Sequence, residues 1–108
     1  MAAGLLWPTS TFSQDLVTTF LTGNQLYEYC TSQTNMLLKT LCLGYVAGTF
    51  DTLDALKMTC RPNEVTMGQA QDMITKYLRD HPETRHLNAS DLVGAFLAET
   101  FPCKEQAH

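Results

Sequence analysis

Leu21-Thr22-Gly23-Asn24-Gln25-Leu26 sets a hydroxyl three residues ahead of a glutamine and encloses both between two leucines. This is the pattern of a helix start. The threonine oxygen accepts from the backbone N–H three residues on, the glutamine oxygen accepts from the threonine N–H, and the flanking leucines meet across the first turn. Val65-Thr66-Met67-Gly68-Gln69-Ala70 repeats it. Leu87-Asn88-Ala89-Ser90-Asp91-Leu92 varies it, with Asn88 as the predicted cap and an acid where the helix dipole favours negative charge. Three helix starts are therefore expected before any periodicity is counted.

Working outward, the first start predicts a short helix from Gly23 to about Cys30, carrying Leu26, Tyr27 and Cys30 to one side, followed by a polar loop, Thr31 to Asn35. From near Met36 to Lys57, Leu37, Leu38, Leu41, Cys42, Tyr45, Val46, Phe50, Leu53 and Leu56 predict a central helix with a broad core face. Gly44 and Gly48 lie within it. Each glycine costs a helix about 1 kcal/mol, so a close helix crossing is expected to offset them. Met67 to about Asp80 gives a third helix, with Ala70, Met73, Ile74, Tyr77 and Leu78 inward and Pro82 as its stop. Ala89 to Phe101 gives the last, with Leu92, Val93, Phe96 and Leu97 on its core stripe and Pro102 beyond. Leu16, Val17, Phe20 and Leu21 have helical spacing over barely two turns, weakened by β-branched Val17, Thr18 and Thr19. Residues 1–12 lack a period and read as a loosely packed N-terminal segment whose Leu5, Leu6 and Trp7 have no assigned partner. The expected fold is an all-α, compact, disulfide-stapled bundle of four to five helices over residues 13–103, with 104–108 as a tail.

The 108 residues are 44% hydrophobic and 17% charged, the latter below the roughly 25% of an average soluble domain. A sizeable neutral surface follows, suited to contact and to homodimer formation. Seven basic against eleven acidic side chains give a net charge of -4 without a Lys/Arg cluster, which argues against nucleic acid as a partner. No stretch reaches the roughly 18 apolar residues of a membrane span, so membrane insertion is not expected. The start, Met1 to Pro8, lacks a basic region and its apolar run is too short for a signal peptide; a mature chain without its leader is the expectation.

Four cysteines, Cys30, Cys42, Cys60 and Cys103, stand at the edges of the apolar segments with gaps of 12, 18 and 43 residues. An even count in a short chain fits disulfides made in an oxidising compartment. Structural zinc sites bring ligands in close pairs, and none of these gaps is close, so no metal is expected. Three pairings are possible. Helix order favours Cys30 with Cys42, across the short loop joining two antiparallel helices, and leaves Cys60 with Cys103, each just past a helix end. A hydrolase would pair Cys60 with His81 or His86 as nucleophile and base, but no oxyanion loop or local signature surrounds any cysteine, and no catalytic residue or cofactor is expected. The densest charged stretch, Arg79 to His86, is a solvated turn or a contact surface, with Asp80, Glu83, Arg85 and His86 as the candidate partner-binding residues.

Taken in order, Gly23-Asn24-Gln25-Leu26-Tyr27-Glu28-Tyr29-Cys30, Cys42-Leu43-Gly44-Tyr45-Val46-Ala47-Gly48 with Asp51 behind, Cys60-Arg61-Pro62, Gln69, Tyr77-Leu78-Arg79-Asp80-His81-Pro82-Glu83-Thr84-Arg85-His86-Leu87, and Phe101-Pro102-Cys103 resemble the Rap/Tai family of immunity proteins over residues 20–103. Asn88 departs from that pattern, in which proline is expected. The resemblance implies a disulfide-bonded, non-enzymatic protein of the periplasm, often a homodimer. It would bind a cognate peptidoglycan amidase effector delivered by a type VI secretion system and cover its cleft. The alternative is a periplasmic helical binding module resembling small acid-stress chaperones, without a dedicated toxin.

Overall fold

The computed structural model describes residues 20–104. Four helices follow one another: α1 Gly23–Cys30, α2 Met36–Ala55, α3 Met67–Asp80 and α4 Ala89–Thr100, with a 3-10 turn at Pro82–Thr84 between the last two. Among the described residues there is no strand, and one isolated antiparallel bridge pairs Thr22 with Asn88. Phe20 and Leu21 are not helical; the rest of the short segment expected around Leu16, the stretch 1–12 and residues 105–108 lie outside the described residues.

Local hydrogen bonding fixes the starts of α1 and α3. Thr22 Oγ1 accepts from the Gln25 N–H at 3.2 Å while Gln25 Oε1 accepts from the Thr22 N–H at 2.9 Å. Thr66 and Gln69 repeat the exchange at 3.1 and 2.9 Å. Helix α2 starts at Met36 as expected, on a cap that the sequence did not mark: Asn35 Oδ1 accepts from the Leu38 N–H at 3.2 Å. Asn88 corrects the expectation in a different way. It stands at the N-cap of α4, but its side chain makes no capping bond. The backbone supplies what the side chain does not: the Ala89 N–H donates to the Leu21 carbonyl at 2.9 Å, and the Gly23 and Asn24 N–H groups donate to the carbonyls of Leu87 and Arg85 at 2.8 and 2.7 Å. The N-termini of α1 and α4 thus satisfy one another's otherwise unpaired donors. This contact is so close that a Cβ on Gly23 would sit 2.5 Å from Leu92 Cδ1 and 2.8 Å from the Arg85 carbonyl oxygen.

Each helix buries residues spaced by four, so one narrow row from each meets in a single core. Leu26 and Cys30 come from α1, Cys42, Val46 and Phe50 from α2, Ala70, Ile74 and Leu78 from α3, and Ala89, Leu92, Val93 and Leu97 from α4. Burying side chains of this kind stabilises by roughly 1.5–3 kcal/mol each. Buried Gln71 adds a polar tie, its Nε2 donating to the Lys39 carbonyl of α2 at 3.2 Å.

Helix α2 departs from expectation on its other sides. Leu37, Leu41 and Leu56 are 52%, 39% and 63% exposed rather than in the core. A Cβ on Gly44 or Gly48 would meet nothing within 4 Å, so no helix crosses closely there. The physical reason is that α1, α3 and α4 all pack on the Cys42–Val46–Phe50 row and leave the next row bare. The helix also ends at Ala55, before Lys57. The Met58 and Lys57 N–H groups donate back to the carbonyls of Leu53 and Asp54 at 2.9 and 3.0 Å, a Schellman closure that puts Lys57 in the left-handed region at φ 64°. Asp54 then anchors the exit, accepting from the buried Thr59 hydroxyl at 2.5 Å and pairing with Arg61 Nε at 3.2 Å.

Cys30, at the end of α1, is bonded to Cys42 in α2 with 5.0 Å between Cα atoms, and Cys60 is bonded to Cys103 beyond α4 with 4.9 Å. Beside the second bond the Cys60 N–H donates to the Phe101 carbonyl at 2.9 Å, and the Phe101 ring lies 5.0 Å from that of Phe50. The two links close the ends of the bundle around the core.

Candidate partner-binding surface

The connection from α3 to α4 is short, charged and held at both ends. At the α3 side His81 Nδ1 donates to the Tyr77 carbonyl at 2.8 Å, since that oxygen can only accept, and the imidazole stacks on the Tyr77 ring at 4.4 Å. Tyr77 in turn lies 4.9 Å from Phe96 of α4. Pro82 opens a tight 3-10 turn in which the Thr84 N–H and hydroxyl both bond to the His81 carbonyl, at 3.2 and 3.3 Å. At the α4 side the Arg85 and Leu87 carbonyls accept from the start of α1. A turn anchored in this way is rigid without any contribution from Glu83 or His86, which face solvent.

The four candidate residues divide into two kinds. Asp80 is exposed and paired with Lys76 one turn back at 2.8 Å; the hydrogen bond from that ammonium, first, and its charge hold the Asp80 carboxyl below the usual carboxylate range. Glu83 and His86 are exposed and take no part in the ion pairs formed among the described residues. Arg85 differs. Its guanidinium lies 4.3 Å over the Tyr27 ring of α1, and its buried Nε has no hydrogen-bond partner. Together with the carbonyl bond to Asn24, this makes Arg85 part of the joint between the turn and α1, leaving Asp80, Glu83 and His86 as the outward edge.

Cys60, weighed above as a nucleophile, is in a disulfide with Cys103 and carries no thiol. No group of three or more potential metal ligands occurs among the described residues, and no described helix is long and apolar enough to cross a membrane.

A second surface was missed in the sequence. Along the bare side of α2 lie two joined hollows of about 370 and 560 Å³ that share Gly44 and Tyr45. Phe20, Tyr29 and Leu41 bound the first; Gly48, Thr49 and Gly94 of α4 bound the second. The signal was present: apolar residues at 36, 37, 38, 41, 42, 45 and 46 wrap more of α2 than one core stripe requires, which leaves some of them for another use.

No protein of curated function and no solved structure gives a match. A family model described as Rap1a immunity proteins does match, over residues 22–103, from the cap of α1 to the last cysteine. With four helices, two disulfides and a braced turn inside that span, the chain belongs to the Rap1a immunity protein family.

Proposed function

We propose that this protein is a periplasmic inhibitor that binds a cognate peptidoglycan amidase delivered by a type VI secretion system and blocks its cleft sterically, acting as a homodimer and catalysing nothing itself. The observation that carries the reading is the immunity-family match across the whole described fold. Two features support it. Disulfides at both ends of the bundle suit an oxidising compartment, which is where a cell-wall amidase works. The braced turn with Asp80, Glu83 and His86 at its edge is preorganised, so little conformational freedom is lost when a partner closes over it.

The test is amidase activity on peptidoglycan with an effector encoded beside this chain, titrated with the oxidised protein. Loss of activity at one equivalent supports the reading; full activity with excess protein overturns it. Replacing Glu83 and His86 together with alanine is expected to weaken binding by more than about 1 kcal/mol, a fivefold or larger rise in Kd, because polar side chains at the centre of a desolvated contact are costly to truncate. Unchanged affinity with a native melting profile removes the turn from the interface. Arg85 is left intact in this variant, since its loss would loosen the joint with α1.

A further inference from the structure

We propose that the Arg85 guanidinium is a carboxylate-binding site, filled in the inhibited complex by an acidic side chain of the amidase; the identity of that occupant, though not the site, rests on the immunity reading. The chain contains three arginines, and two of them lie over aromatic rings. Arg61 sits 5.5 Å from the centre of the Phe50 ring and commits its edge to carboxylates, with Nε 3.2 Å from Asp54 and Nη2 3.5 Å from Asp51. Arg85 sits closer to its ring, 4.3 Å from the centre of Tyr27, and no ion pair among the described residues includes it. The two arginines share an aromatic floor and differ in the countercharge.

Burial decides which edge of Arg85 is on offer. The residue is half-buried; its Nε is buried without a partner, whereas its terminal nitrogens are not among the buried unpaired atoms and no hydrogen bond among the described residues uses them, so they open to solvent. The main chain is pinned on both sides: the Arg85 N–H donates to the Pro82 carbonyl at 3.4 Å, and its carbonyl accepts from the Asn24 N–H at 2.7 Å. With the backbone held and the ring against one face, the guanidinium has little further freedom to lose when a ligand arrives. It is always charged, and the planar pair of terminal nitrogens matches a carboxylate through two parallel hydrogen bonds. A phosphate fits less well. Glu83 stands two residues earlier in the same turn, no lysine or second arginine lies between Asp80 and Leu87, and a doubly charged anion is repelled by that carboxylate more than a singly charged one. Arg85 then adds a charged anchor to the contact made by Glu83 and His86.

The three arginines allow an internal comparison in one proton–nitrogen correlation spectrum of the oxidised chain, through their Nε–H signals. With sodium acetate at neutral pH, and sodium chloride at equal ionic strength as the reference, the Arg85 signal is expected to shift and saturate. The exposed Arg79 signal is expected to drift without saturating, and the paired Arg61 signal to stay in place. An Arg85 signal that merely follows Arg79, or responds equally to chloride, overturns the site; a tighter response to inorganic phosphate than to acetate overturns its assignment to carboxylates. The occupant is tested with the effector encoded beside this chain. Arg85→Lys keeps the charge and the backbone joint but not the fork, and is expected to raise Kd about tenfold or more at an unchanged melting temperature. Changing one Asp or Glu of the effector to its amide is expected to weaken binding to the parent chain equally and to leave binding to the lysine variant unaffected. Should Arg85→Lys melt early, the amide changes measured against the parent chain decide. Unchanged Kd throughout overturns the occupant. An effector that does not bind at all overturns it too, and a saturating acetate response alongside that result condemns the immunity reading while the site stands.

Discussion

Among single residues, the glycines separate by what surrounds them. At Gly23 a methyl group would collide with Leu92 and with the Arg85 backbone, which cannot move without breaking the joint between α1 and α4. Gly23→Ala is expected to lower unfolding stability by about 1–3 kcal/mol in urea titration. Gly48→Ala, exposed in mid-helix with open space around it, is expected to raise stability by about 0.5–1 kcal/mol. Lys57 is the converse case, a side chain held at φ 64° by the Schellman closure of α2. Left-handed backbone costs a non-glycine residue roughly 1–2 kcal/mol, part of which glycine gives back through its freer unfolded chain. Lys57→Gly is therefore expected to gain about 0.5–1 kcal/mol and to raise Tm by a few degrees in a scanning calorimeter.

For the helices, the three similar starts are held by different means. The Thr22 and Thr66 hydroxyls each satisfy a backbone donor, so Thr22→Ala and Thr66→Ala are each expected to cost about 1 kcal/mol. Asn88→Ala is expected to shift stability by no more than a few tenths, because the Leu21 carbonyl and not the side chain meets the first donor of α4. Thermal melts of the three variants rank them directly. The cap motif in the sequence thus locates α4 correctly while misidentifying the atom that closes it. A side-chain cap depends on its nearest neighbours in the chain; a backbone carbonyl arriving from 68 residues earlier does not show in the motif.

For the whole molecule, the two disulfides differ in access. Cys30 and Cys42 are 3% and 0% exposed within the core, whereas Cys60 is exposed beside buried Cys103. Mild reductant is expected to open Cys60–Cys103 first, with Cys30–Cys42 following only when the bundle unfolds; alkylation and mass spectrometry over time read the order. Simultaneous opening of both would show that the ends of the bundle unfold together. On the chain-entropy account, closing the 43-residue separation restrains the unfolded chain by about 4 kcal/mol and the 12-residue one by about 3. For a bundle of this size those restraints are comparable to its net stability. The immunity reading depends on them, since a steric inhibitor must keep its shape in the compartment where its target works.

The sequence by itself determined where the helices start and, to within two residues, where they stop, that four to five of them make an all-α bundle, and that the family is one of immunity proteins. Caps, prolines and apolar residues four apart act over a single turn of chain, so their meaning does not depend on what packs against them. Only the tertiary structure decided which side of α2 is covered, that Gly23 rather than Gly44 or Gly48 is the close contact, and that Arg85 faces Tyr27 while Glu83 and His86 face solvent. Each of those outcomes depends on the neighbour brought in from another helix. A stripe of leucines looks the same in sequence whether a second helix or an open trench lies against it.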